Sequence, residues 1–447
     1  MEVYKINEGE DYQEKPSDEP IHDKYETEMI NEQVNFVHSF YQDLESTNLQ
    51  ISSEQLLNFA RIVRTDCQEI LNSLQDIDFI PLLFSLIDQT KDFSIITPAL
   101  NCICLCAVRF GIVVSEEYLQ ILINIFQAVT SEENIDISLI SYLLTAISIC
   151  SEQNTLSLLT PEFYQKIIQL APQHIAWRKA ISNFFCELAP KIQELSSESP
   201  QSVAIFYILL FKDEEIIDTN AKIIGTLLKK RLISLNQEEF LQLFFEYFKY
   251  PNTKILTILF NIVSELDERE LPVIKSPIFV NRIKEIIGIG DNDEFTKLQC
   301  AAINALTRLV QIYPLGFRSQ FIEEDENSIF PILMDALNCA HTNIKRSIAA
   351  LIGLIFDRFP DYFMDAIMEG QEQIIEGIKS VISLEDDSTI IIINGIVKLI
   401  ERNPDFKDSL VEHGISEQIV DIYEETTNET LKEAIDDLVN KSLENEE

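Results

Sequence analysis

The chain has 447 residues, 46% of them hydrophobic, which is enough for two or three ordinary domains or for one long repeat array. Lys and Arg number 34 against 74 Asp and Glu, a formal charge of −40, so the broad basic face of a nucleic-acid binder is missing and an anionic membrane surface is disfavoured. Glycine is scarce, at 11 residues, and this argues against a β-rich sandwich or barrel and for helices joined by short polar loops.

Residues 1–26 are acidic, contain two prolines and carry little apolar content; the composition predicts a disordered segment with no secretory signal. From 27 to 443 apolar residues recur at three- and four-residue spacing, the pattern of successive amphipathic helices, followed by an acidic tail at 444–447. Helix starts are marked by Ser52-Ser53-Glu54, Thr160-Pro161-Glu162, Ser199-Pro200 and Ser276-Pro277. In each, a hydroxyl can accept from free N–H groups of the first turn, or a proline suits that turn. The longest apolar stretch is expected near 388–400, with Asp386, Asp387 and Lys398 at its edges, and is too short for the ~18 residues of a membrane span. Eight cysteines, mostly inside apolar runs, read as free thiols of a reducing compartment, cytoplasmic or nuclear.

The helices repeat. Near the C-terminus, stretches beginning at Phe317, Phe363 and Phe406 each place an apolar residue four positions later (Phe321, Ile367, Leu410). A second apolar helix then centres on Phe330, Ile375 and Val420, and a third covers 342–358, 387–402 and 428–443. Gly370 and Gly414 are equivalent stops between the first two helices. The third helix carries an asparagine within its apolar run: Asn58, Asn101, Asn183, Asn261, Asn304 and Asn394. These are separated by 43, 82, 78, 43 and 90 residues, near one or two multiples of a ~40–47-residue period. The same register places Thr145, Gly225, Gly353 and Asp436 in the gaps. The expected architecture is all-α, a right-handed α-solenoid of about ten armadillo/HEAT-type repeats.

On these features, over residues 28–443, the chain resembles the armadillo family and its importin-α-like branch. The stretch from His413-Gly414-Ile415 through Glu433-Ala434-Ile435 resembles one whole armadillo repeat. The resemblance implies that the third helices line a groove and that their asparagines hold the backbone of an extended peptide. A carboxamide offers donor and acceptor together, so a ladder of them can grip peptide groups without reading side chains. Importin-α pairs each such Asn with a Trp one turn earlier; the positions here are Glu54, Thr97, Lys179, Thr257, Cys300 and Ile390, with no aromatic among them. Its basic carrier-binding segment has no counterpart, since no arginine precedes Arg61.

Candidates for chemistry read as structural. Cys102, Cys104 and Cys106 diverge by about 200° per two residues on a helix and cannot converge on one metal. His22, His38, His174, His341 and His413 are scattered towards helix ends. Gly288-Ile289-Gly290 lacks the preceding strand and third glycine of a nucleotide fingerprint. The acidic runs Asp213-Glu214-Glu215 and Glu323-Glu324-Asp325-Glu326 lack the ligand alternation and glycine turn of a calcium loop. Tyr142, Phe184 and Phe260, beside ladder positions, read as core. The expected function is a non-enzymatic scaffold with no cofactor, no metal and no small-molecule substrate. Its expected partner is a protein, held through an extended basic segment by the acidic field. A diverged importin-α-like adaptor and a structural subunit of a larger assembly are the alternatives.

Overall fold

The computed structural model describes residues 19–46, 51–75, 77–110, 115, 117–132, 136–196, 198–235, 237–266, 277–289, 293–315, 317, 329–339, 341–369, 371–384 and 386–444. All regular structure among them is helical. The expectations attached to residues 1–18, Ser276, Gly290, Phe321, the 323–326 acidic run, Gly370 and the end of the tail lie outside the described residues. The chain divides into two compact units, Met1–Lys191 and Ile192–Glu447.

In the first unit, α1 (Glu19–Glu45) begins inside the segment expected to be disordered, with Pro20 in its first turn, where a proline costs no intrahelical bond. Next come α2 (Ser53–Val63), α3 (Gln68–Gln75), α4 (Phe79–Gln89), α5 (Phe93–Phe110), α6 (Glu117–Val129), α7 (Ile137–Cys150), α8 (Pro161–Leu170) and α9 (Ile175–Leu188). Two layers result. In the ladder layer α2, α5, α7 and α9 each pack on the next; α4, α6 and α8 lie against α5, α7 and α9 as a backing layer.

The second unit repeats the plan. Its ladder layer is α11 (Ile217–Lys229), α13 (Thr253–Ser264), α15 (Thr296–Ile312), α17 (Thr342–Arg358), α20 (Asp387–Arg402) and α23 (Glu429–Glu444), each packed on its predecessor. The backing layer contains α10 (Pro200–Leu209), α12 (Glu238–Phe248), α14 (Pro277–Ile287), α16 (Ile329–Cys339), α19 (Gln371–Ile382) and α22 (Ile415–Glu425). The short α18 (Pro360–Glu369) and α21 (Phe406–Glu412) precede α19 and α22. Counting α1 with α2, the described residues hold about ten helix pairs, the all-α helical-repeat fold that the period implies.

The three-helix unit holds only in part. A short first helix precedes the pair as α3, α18 and α21, and Gly414 adopts φ +71° at the stop before α22. Before α8 and α10 the described chain has only single 3-10 turns, Leu156–Leu158 and Ala189–Lys191, so those repeats are helix pairs. The starts expected from Ser52, Thr160 and Ser199 are all N-caps. Ser52 forms a reciprocal box in which its Oγ accepts from the Gln55 N–H at 3.2 Å and the Gln55 Oε1 accepts from the Ser52 N–H at 2.9 Å.

Two devices recur and hold the stack. Phenylalanines form triads that join a ladder helix to two backing elements: Phe126, Phe163 and Phe184 in the first unit, Phe248, Phe260 and Phe279 in the second, with centroids 4.7–5.8 Å apart. All six rings are buried. Burying each contributes about 1.5–3 kcal/mol. The second device is polar. A side chain in the first turn of a ladder helix donates to carbonyls at or just past the end of the backing helix before it. Asn220 Nδ2 reaches the Ile208 and Phe211 carbonyls at 3.1 and 3.2 Å, and Thr389 Oγ1 bonds Val381 O and Ile382 O at 3.1 and 3.3 Å. Gln299 Nε2 does the same for Ile286 and Ile287 at 3.3 and 3.4 Å.

One expectation is corrected. Helix α5 is 18 residues long with a mean hydropathy of 1.7, so a stretch matching a membrane span by length and composition exists, away from 388–400. Its apolar side chains, Ile96, Leu100 and Ile103 among them, are buried, and the helix packs against α2, α4 and α7.

Candidate functional site

Ladder helices bury one face against their neighbours and the backing layer, and leave a narrow strip exposed. Along α13 the strip is Lys254, Asn261 and Glu265; along α15 it is Lys297, Asn304 and Gln311; along α20 it is Ile391, Asn394 and Lys398. Asparagine thus falls on the exposed strip because buried Leu, Ile and Ala positions occupy the rest of the 3.6-residue period.

The six asparagines are not equivalent. Asn183, Asn261, Asn304 and Asn394 are exposed. Asn58 is half-buried and its Oδ1 accepts from Arg61 Nη2 at 3.1 Å. Asn101 is only 7% exposed, with Arg64 Nη2 3.4 Å from its Oδ1. In the second unit α13 packs directly on α15, so Asn261 and Asn304 stand on adjacent helices, whereas α17 intervenes between Asn304 and Asn394. The positions filling the gaps divide similarly. Thr145 and Asp436 are exposed, but Gly225 is half-buried and Gly353 is buried.

The glycines serve packing. A Cβ on Gly353 would stand 2.2 Å from Ile391 Cγ2 and 3.3 Å from the Ile391 carbonyl oxygen. On the facing helix, a Cβ on Gly395 would lie 3.5 Å from the Gly353 Cα. Helices α17 and α20 therefore cross almost backbone to backbone. A Cβ on Gly225 of α11 would likewise meet Ile262 of α13 at 2.8 Å.

Two depressions open beside ladder asparagines. In the first unit a hollow of about 640 Å³ is lined by Phe36, Glu54, Leu57, Asn58 and Arg61. In the second, a cleft of about 630 Å³ lies between α11 and α13, with Asn261 on its wall. Its rim includes Arg231, whose φ of 61° is the one left-handed backbone among the described non-glycine residues. Arg231 ends α11 in a hydrogen-bonded stop: the Leu232 N–H bonds Leu227 O and the Arg231 N–H bonds Leu228 O, both at 2.9 Å. Glycine usually takes this place, and a side chain there costs about 1–2 kcal/mol.

The thiols of α5 diverge, as helix geometry dictates. Cys102 Sγ donates to Leu56 O on α2 at 3.3 Å, while Cys104 Sγ turns towards Tyr142 O on α7 at 3.7 Å. Burial pushes the Cys104, Cys106 and Cys150 thiols up to about 12. Among the described residues no group of three or more His, Cys, Asp or Glu could hold a metal ion. His174 caps α9, its Nδ1 accepting from the Ala176 N–H at 3.1 Å, and His413 Nδ1 bonds the Ser409 carbonyl at 2.8 Å. Trp177 is buried and Asn183 exposed, so the sole tryptophan of the chain is not part of the strip. Phe184 and Phe260 are core, and Tyr142 is half-buried.

The fold is shared with known helical-repeat structures. An engineered protein superposes with a TM-score of 0.63 at 10% identity, over 92% of this chain and 98% of its own. Importin beta superposes with a TM-score of 0.55 at 13% identity over 91% of this chain, which spans about half (54%) of the importin beta chain. No family model matches the sequence, and no curated protein matches it. The likeness defines the class, an α-helical repeat solenoid. Sequence motifs expected to make it specifically armadillo remain a resemblance.

Proposed function

We propose that the protein is a non-enzymatic scaffold that holds an extended segment of a partner protein along the exposed strip of its ladder helices. The observation that carries this reading is the exposure of Asn183, Asn261, Asn304 and Asn394, on helices that bury most of their apolar positions. Solvated carboxamides on the adjacent helices α13 and α15, at Asn261 and Asn304, can donate to and accept from peptide groups. A chain of −40 favours a partner segment that is basic overall. The positions one turn before the asparagines are Glu54, Thr97, Lys179, Thr257, Cys300 and Ile390, so the strip grips backbone without aromatic slots for lysine stems. Cys67, Cys102, Cys104, Cys106, Cys150 and Cys300 are free thiols, which suits a cytoplasmic or nuclear address.

The reading is tested by replacing Asn261, Asn304 and Asn394 together with alanine and repeating partner capture by affinity purification. These side chains are exposed, so the variant should fold with an unchanged melting temperature and lose most of its captured partner. Undiminished capture by the folded variant would overturn the reading.

A further inference from the structure

Three cations repeat one contact along the ladder. Arg109, past Asn101 on α5, donates through Nη2 to the Thr65 carbonyl beyond the end of α2 at 3.0 Å. Lys191, in the turn that follows α9 and past Asn183, donates to the Ser148 carbonyl in the last turn of α7 at 2.6 Å. Arg308, one turn past Asn304 on α15, donates through Nε to the Leu266 carbonyl beyond the end of α13 at 3.0 Å. They reach back 44, 43 and 42 residues, one repeat period each. Each contact therefore ties together two helices that carry neighbouring rungs of the ladder: Asn58 and Asn101, Thr145 and Asn183, Asn261 and Asn304.

Apolar packing sets how far apart ladder helices lie, but burial has no direction and opposes sliding along the axis only weakly. Helix α15 buries Ala301, Ala302 and Ala305, whose small side chains raise shallow ridges. A charged donor on a carbonyl at a helix C-terminus supplies the missing direction. Such a bond is roughly twice as strong as a neutral one and is favoured by the negative end of the helix dipole. The guanidinium of Arg308 is itself held, since Nη1 donates to Gln311 Oε1 at 2.9 Å. That of Arg109 is reinforced by Asp66 Oδ1, 2.7 Å from Nη2. Register matters to a row of carboxamides. A slide of one residue moves a rung by ~1.5 Å, well beyond the ~0.5 Å range of hydrogen-bond lengths.

We propose that Arg308, Lys191 and Arg109 are positioning residues of the ladder, each fixing the axial register of its own rung against the one before it. Arg308 has the largest consequence for binding, because Asn261 and Asn304 are both exposed, whereas Asn58 and Asn101 are engaged by Arg61 and Arg64. That consequence rests on the groove reading; the register itself does not.

The test places spin-labelled non-canonical residues on the full chain, either at 261 and 304 or at the exposed positions Leu57 and Val108 of α2 and α5, and reads their dipolar coupling by continuous-wave EPR. Arg308→Met should weaken and spread the coupling of the 261/304 pair and leave the 57/108 pair unchanged. Arg109→Met should do the reverse. Arg308→Lys should restore the single coupling, since a lysine makes the same contact at Lys191. Both Met variants should lower the melting temperature, so lost stability alone cannot produce the crossed pattern. In partner capture Arg308→Met should retain several-fold less than Arg109→Met. Unchanged coupling in both Met variants, or both label pairs loosened alike by either one, would overturn the proposal. Should Arg308→Met not fold, the Arg109→Met half of the pattern decides it. A crossed pattern together with undiminished capture by the triple asparagine variant would remove the groove reading and leave the register assignment standing.

Discussion

The two units face one packing problem, ladder helix against ladder helix, and meet it with different residues. In the first unit thiols fill the interfaces: Cys102 between α5 and α2, Cys104 between α5 and α7, with Cys106 and Cys150 buried nearby. The second unit uses glycine instead, at Gly225 against α13 and at Gly353 and Gly395 where α17 crosses α20. A small polarisable thiol lets helices approach while still filling the gap; a glycine removes the gap. The first choice makes a unit sensitive to ionisation, the second one intolerant of a single added carbon.

The sharpest way to break this comparison is Gly353→Val. Its Cβ would overlap Ile391 and crowd a backbone carbonyl that cannot rotate away, so a loss of about 3 kcal/mol or more is expected in denaturant unfolding. An unchanged midpoint would mean that the crossing is looser than described. Asn220→Ala comes next. It removes a buried amide hydrogen-bonded to the Ile208 and Phe211 carbonyls, and the loss of those bonds should cost about 1–2 kcal/mol.

Alkaline pH loads the first unit most heavily, although burial also raises Tyr247 and Cys300 in the second. The thiols of Cys104, Cys106 and Cys150 are raised from 9.0 to about 12 in the folded chain. Between those values the unfolded chain has released protons that the folded chain keeps, so stability is intact below pH ~9 and falls as pH rises. Each thiol contributes a slope of about 1.4 kcal/mol per pH unit. The sole tryptophan, Trp177, lies in the first unit, so its fluorescence should report loss of structure there first. A Cys104→Ala, Cys106→Ala, Cys150→Ala variant should flatten the profile; an unaltered alkaline midpoint would refute the assignment. The smallest effect is Arg231→Gly, expected to stabilise the second unit by about 1 kcal/mol in thermal unfolding, since glycine adopts the left-handed stop without penalty. A destabilised variant would show that the arginine contributes more to folding than its backbone costs.

Much of the fold is legible in the sequence because its causes are local. Thr160-Pro161 and Ser199-Pro200 start α8 and α10 since a hydroxyl cap and a fixed φ act within one turn. The divergence of Cys102 and Cys104 follows from 100° per residue alone. The candidate site is legible only in part. Asn101 and Asn394 sit in similar apolar runs, yet one is buried beside Arg64 and the other exposed, because each outcome depends on how the neighbouring helix is rotated. Gly353 looked like a vacant rung and is a crossing point for the same reason.

By itself, then, the sequence determined that this chain is a strongly acidic series of amphipathic helices repeating at about 43 residues. Periodicity, capping and net charge are properties of short segments and of sums, and they need no partner in space. Only the tertiary structure decided which asparagines face solvent, where two helices touch backbone to backbone, and that a cleft opens beside Asn261. Those features are set by the angle and distance between helices, which depend on residues some forty positions apart acting at once.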